Sequence, residues 1–88
     1  MIKLKTLELR NTAITAKGIK SLAVSLAVES IEMLRLSHCK ELNTDVLAYI
    51  QKIASYQSLK KVYLNDCKID KEELQAFEFK NQSLNLIF

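Results

Sequence analysis

At 88 residues, with 49% apolar side chains and 13 Lys plus Arg against 10 Asp plus Glu, the chain has the size of one domain and a formal charge of +3. That apolar content excludes a disordered segment, and the charge falls well short of the dense basic surface of a dedicated nucleic-acid binder. Two cysteines make no disulfide framework, and no apolar run approaches the roughly 18 residues of a membrane span.

The opening, MIKLKTLELR, alternates polar and apolar residues and lacks the apolar core of a signal peptide. With so little cysteine, the expected setting is intracellular, and cytoplasmic and mitochondrial locations both fit. Proline is absent and Gly18 is the lone glycine, so no linker divides residues 1–88, which read as a single domain.

Taken in chain order, the elements repeat. The first copy, LKTLELRNTAITAKGIKSL, starts at Leu4; the second, IEMLRLSHCKELNTDVLAYI, at Ile31; the third, LKKVYLNDCKIDKEELQAF, at Leu59. A fourth opens at Leu84 with LNLIF, so the starts lie 27, 28 and 25 residues apart. Apolar residues fill the first, fourth and sixth places: Leu4, Leu7 and Leu9; Ile31, Leu34 and Leu36; Leu59, Val62 and Leu64. That alternation predicts strands near residues 6–9, 33–36 and 61–64, each with one face turned inward. Thr12, Cys39 and Cys67 take the ninth place, followed by Ile14, Leu42 and Ile69 at the turn.

Each turn leads to a helical pattern. Thr15 is the expected cap of the first helix, whose stripe is Ile19, Leu22 and Leu26; Asn43 or Thr44 caps the second, with Leu47, Ile50 and Ala54 inward and Val46 and Ile53 flanking. Asp70 and Glu73 suggest a capping box for the third, with Leu74 and Phe77 facing in.

These registered copies resemble the leucine-rich repeat family, and the ninth-place cysteines are similar to its cysteine-containing subtype. The resemblance implies an α/β fold. The architecture it implies is a short leucine-rich-repeat solenoid of about three β-α repeats plus a terminal strand, with a parallel sheet on the concave side. A narrower resemblance covers the first half. There "NTAITAKGIKSL" and "VESIEMLRLSHCKEL" are similar to short mitochondrial leucine-rich repeat proteins, a group with ATP synthase coupling factor B and a respiratory complex I assembly factor. It implies an assembly or scaffold subunit. The substrate-recognition repeats of ubiquitin-ligase adaptors are a rival, set back because no F-box-like segment precedes Leu4.

No constellation for catalysis stands out. Cys39 and Cys67 fall on equivalent rungs as free thiols in a packed turn, and a thiol redox module with His38 is the competing reading. A zinc site wants about four ligands, and His38 is the single histidine. Glu72 and Glu73 are helix-start acids, and Lys60 with Lys61 forms a basic pair. No catalytic, cofactor or metal residue is therefore expected.

What remains is surface. The outward strand positions are Thr6, Glu8 and Arg10; Met33, Arg35 and Ser37; Lys61, Tyr63 and Asn65; then Leu86 and Phe88. Methionine, tyrosine and arginine are enriched at interfaces, and Glu8 among the cations favours a protein over a phosphate backbone. The expected contacts are Glu8, Arg10, Met33, Arg35, Lys61 and Tyr63 on the concave face, with Leu86 and Phe88 on an apolar end rung. Four strands about 4.8 Å apart give only a few hundred Å², short of the roughly 800 Å² per partner of a standard interface. A small subunit held in a hetero-complex is the expectation.

Overall fold

The computed structural model describes residues 5–24, 30–56 and 58–88. Leu4 and Leu26, named above, lie outside them. Among these residues seven elements follow in strict alternation: β1 Thr6–Glu8, α1 Ala16–Ala23, β2 Met33–Arg35, α2 Val46–Ala54, β3 Lys61–Tyr63, α3 Lys71–Lys80 and β4 Asn85–Ile87. The strands make one parallel sheet in the order β1-β2-β3-β4.

The register is that of the repeat. Leu7 pairs with Leu34, Leu34 with Val62 and Val62 with Leu86, so fourth-place residues form one inward row. Leu34 and Val62 are fully buried, as are Leu36 and Ile31, while Leu64 and Leu59 are nearly so. The ladder runs past the strand ends, with Leu36 N–H donating to Tyr63 C=O at 2.9 Å and His38 N–H to Asn65 C=O at 2.7 Å. Pairing of near neighbours through a crossover helix is what parallel strands require.

Each strand ends in the same way. The eighth-place residues Asn11, His38 and Asp66 have φ of 59°, 63° and 57°, in the left-handed region. Asn, His and Asp are the non-glycine types that tolerate it best. The chain then swings inward to Ile14, half-buried, and to Leu42 and Ile69, both buried. Lys68 N–H donates to Leu42 C=O at 3.1 Å, tying the second and third turns together.

The helices complete the core. In α1, Thr15 Oγ1 accepts from Gly18 N–H at 3.4 Å, and Ala16, Ile19 and Ala23 are buried with Leu22 half-buried. Gly18 has an ordinary φ; a Cβ there would lie 2.9 Å from Ile14 Cγ1, so close approach explains it. In α2, Val46, Leu47, Ile50 and Ile53 are buried. Tyr56 Oη donates to Ala23 C=O at 3.3 Å and joins the end of α2 to the end of α1. In α3, Asp70 Oδ1 accepts from Glu72 N–H at 3.0 Å while Leu74 and Phe77 face in.

Two expectations are corrected. Neither Asn43 nor Thr44 caps α2: the N-cap is Asp45, without a side-chain bond to the helix. Asn43 Oδ1 accepts from Asp45 N–H instead, and Thr44 Oγ1 accepts from Asp70 N–H on the next rung at 3.1 Å. A neighbouring turn with an orphan donor has taken the cap residue.

The second correction concerns the last rung, where Leu86 is not outward. It is 6% exposed and sits beside Val62, while Asn85 and Ile87 take the outward places opposite Lys61 and Tyr63. After α3, Asn81 Nδ2 donates to Phe77 C=O and Leu84 N–H to Asn81 C=O at 2.8 Å. After this short turn Leu86 follows buried Leu84 by two positions, whereas Val62 follows Leu59 by three. A one-residue slip exchanges the faces of a strand. Phe88 then falls in the sixth place with Leu64, and remains 39% exposed.

Candidate functional site

The outward strand rows form one surface. The lower row is Thr6, Met33, Lys61 and Asn85; the middle row is Glu8, Arg35, Tyr63 and Ile87. Arg10, Ser37 and Asn65 continue it where the strands end. Glu8 carries an ion pair to Arg10 and places Oε2 3.6 Å from Arg35 Nε. Arg35 Nε also lies 3.3 Å from Met33 Sδ, and its guanidinium carbon lies 4.9 Å from the centre of the Tyr63 ring. Lys61 Nζ lies 5.1 Å from the same centre.

Two cations against one ring are a strong local arrangement. The ring face attracts both of them through its quadrupole. The positive surroundings act on the Tyr63 hydroxyl in return. Hydrogen bonding from Lys61 holds it below its ordinary value, slight desolvation opposes this, and the charges of Lys61, Arg35 and Arg10 add to the lowering. Ser37, 5% exposed, is fixed by Asn65: their side chains meet at 3.0 Å, and Ser37 Oγ accepts from Asn65 N–H at 3.2 Å. The upper edge of the face is thus rigid, while Arg35, Lys61 and Tyr63 are half-exposed.

Of the residues expected on this face, Glu8, Arg10, Met33, Arg35, Lys61 and Tyr63 do lie together. Leu86 lies beneath it, and Phe88 stands at the rim of the end rung. Asn85 and Ile87 were missed, because the parity of the last strand was read one residue out. Phe79, 75% exposed on α3, is the largest apolar side chain left bare among the described residues.

The thiols take a structural place. Cys39 is fully buried, Cys67 half-buried, and both are free. Cys39 Sγ donates to Leu9 C=O at 2.8 Å and Cys67 Sγ to Leu36 C=O at 3.1 Å. These are equivalent carbonyls, each on the preceding rung. In the first rung Thr12 Oγ1 donates to Leu9 C=O at 2.8 Å, so its hydroxyl serves the same acceptor from within. Burial pushes the Cys67 thiol up, with backbone hydrogen bonds opposing it and the nearby Cys39 and Asp66 adding to it. A reactive cysteine needs the reverse, a depressed pKa at an accessible sulfur.

His38 turns to solvent, where Nδ1 lies 3.1 Å from Asp66 Oδ2. Its left-handed backbone explains its place before Cys39 better than shared chemistry with the thiol does. A shallow depression of about 340 Å³ lies beside it, lined by Asn11, Thr12, Ala13, His38, Lys40 and Glu41. Another, of about 210 Å³, separates α2 from α3. No helix among the described residues is long and apolar enough to cross a membrane.

No curated protein matches the chain. Residues 1–23 match the family described as Leucine Rich repeat. That segment contains β1, the turn through Thr12 and α1, the unit whose register the next two rungs reproduce. The match is to the repeat and brings no mitochondrial identity with it. Residues 1–23 are thus similar to a leucine-rich repeat, and the two rungs that follow keep the same strand register.

Proposed function

We propose that this chain is a non-catalytic protein-binding module, a small piece of a repeat solenoid that works as a subunit of a larger assembly. Leucine-rich repeats are interaction modules in general, which gives the coarse role. The observation that carries the finer reading is the Arg35–Tyr63–Lys61 cluster on the outward side of β2 and β3. Tyrosine and arginine recur at interface hot spots because each offers broad contact with a polar end.

Ile87 extends the cluster onto β4, half-buried beside Tyr63. The face is a few hundred Å², so a stable complex also needs contacts beyond it. Phe88 at the end rung and Phe79 on α3 are exposed apolar side chains open to such contacts.

Site-specific photo-crosslinking tests this reading. A benzophenone amino acid at position 63 should capture a protein partner, and the same probe at Lys52, exposed on α2, should not. Capture from the helix side alone would overturn the assignment.

A further inference from the structure

Resting on that reading, we infer that the partner is a protein segment bearing Asp or Glu, which places a carboxylate on the Lys61–Tyr63–Arg35 cluster.

The charge on the face is uneven. Its outward positions hold Arg10, Arg35 and Lys61 against one acid, Glu8. That acid is already committed on the β1 side, between Arg10 and Arg35. Lys61 is different. Among the described residues it has no carboxylate within ion-pair distance, and its ammonium rests over Tyr63 instead. Arg35 approaches the same ring, so two positive groups converge where no anion of this chain offsets them. A carboxylate entering beside Tyr63 gains from both, and the Tyr63 hydroxyl stands ready to donate a hydrogen bond to it.

Glu8 shows the geometry at work within the chain. One carboxylate there is shared by two guanidinium groups, Arg10 just past β1 and Arg35 on β2. The place one strand over is the equivalent site without its acid.

Phosphate would satisfy the same cations, but the rest of the face argues for protein. Nucleic-acid binders of useful affinity neutralise roughly 6–10 phosphates, and this face offers three cations with a carboxylate among them. Single-stranded nucleic acid also wants successive aromatic platforms, and Tyr63 is the sole aromatic at the described outward strand positions.

Amide NMR spectra of the full chain decide the matter, with three probes: an octaglutamate peptide, an octalysine peptide and a dodecamer of oligouridine. Octaglutamate should shift the amides of Arg35, Lys61 and Tyr63, and octalysine should not. Lys61→Glu should weaken octaglutamate binding about tenfold by replacing attraction with like-charge repulsion, whereas Lys52→Glu on α2 should leave it unchanged. Lys61→Gln, which adds no repulsion, should give a smaller loss in the same direction. A circular dichroism melt of each variant confirms that the fold persists.

Equal losses from Lys52→Glu and Lys61→Glu, or shifts centred on Lys17, Lys20 and Lys52, would reduce the effect to net charge and overturn the inference. So would stronger perturbation of the face by oligouridine than by octaglutamate. If octaglutamate fails while crosslinking from position 63 succeeds, the interaction face stands and only its acidic preference falls.

Discussion

The parity of the last strand has a measurable consequence. Leu86 is 6% exposed in the row Leu7–Leu34–Val62–Leu86, whereas Phe88 at 39% exposure has no following strand beside it among the described residues. Leu→Ala at a buried site costs roughly 2–5 kcal/mol, depending on how far the surroundings can collapse into the space. Leu34 is fully buried between Leu7 and Val62, so Leu34→Ala belongs near the upper end, at about 3–5 kcal/mol. Leu86 packs against Val62 on one side and lies at the sheet edge, which favours about 2–3 kcal/mol. Phe88→Ala removes a side chain that is already partly in water, for about 1 kcal/mol.

A domain of this length has a total stability of about 4–13 kcal/mol. The two leucine variants therefore remain measurable if that total lies in the upper half. Urea unfolding followed by circular dichroism gives all three values, and an unchanged m-value shows that each difference is one of stability. At about 4–8 °C per kcal/mol, Leu86→Ala should lower Tm by roughly 10–20 °C. If Phe88→Ala proves the costlier of the two, or Leu86→Ala stays within about 0.5 kcal/mol, Leu86 faces outward and the register argument fails.

The helix starts offer a second comparison. Asp70→Ala should cost about 1 kcal/mol in a thermal melt because it loses a cap bond to Glu72 N–H, and Asp45→Ala should fall within about 0.5 kcal/mol because it loses none. At His38, φ of 63° makes glycine neutral or slightly stabilising, while His38→Val should lose about 1–2 kcal/mol in urea unfolding. The raised Cys67 pKa means that the unfolded chain loses this proton at lower pH than the folded one. Its contribution is present below the ordinary thiol pKa and is lost as pH rises through the folded value. Urea unfolding at neutral pH and at about pH 10 should show this decline in the native chain and a shallower one in Cys67→Ala.

The repeat was legible because three spacings agree: the apolar first, fourth and sixth places, the ninth-place Thr or Cys, and the interval between copies. The left-handed turns went unread, although Asn11, His38 and Asp66 occupy one place in each copy, because His38 was weighed for its ring and not its backbone. The cap of α2 could not be read locally. Asn43, Thr44 and Asp45 are three adjacent residues of capping type, and the choice among them rests on a donor at Asp70, one rung away. The last strand failed for a related reason. With Leu84, Leu86, Ile87 and Phe88 in five residues, either parity places apolar groups inside, and only the length of the turn after α3 separates them.

The division between the two sides of the sheet determines how the binding face can be tested. Inward rows are locked by neighbours on successive rungs, so a change there is felt as lost packing. Outward residues meet mainly one another: Glu8 with Arg10 and Arg35, and Tyr63 with Arg35 and Lys61. Exposed ion pairs of this kind contribute roughly 0–1 kcal/mol to folding, because solvent screens them and ordering long side chains opposes them. The same groups, once a partner excludes water, interact in a lower dielectric and gain strength. Charge reversal at Lys61 is therefore expected to alter recognition more than stability, and the buried Leu34–Val62 row preserves the surface on which that change is read.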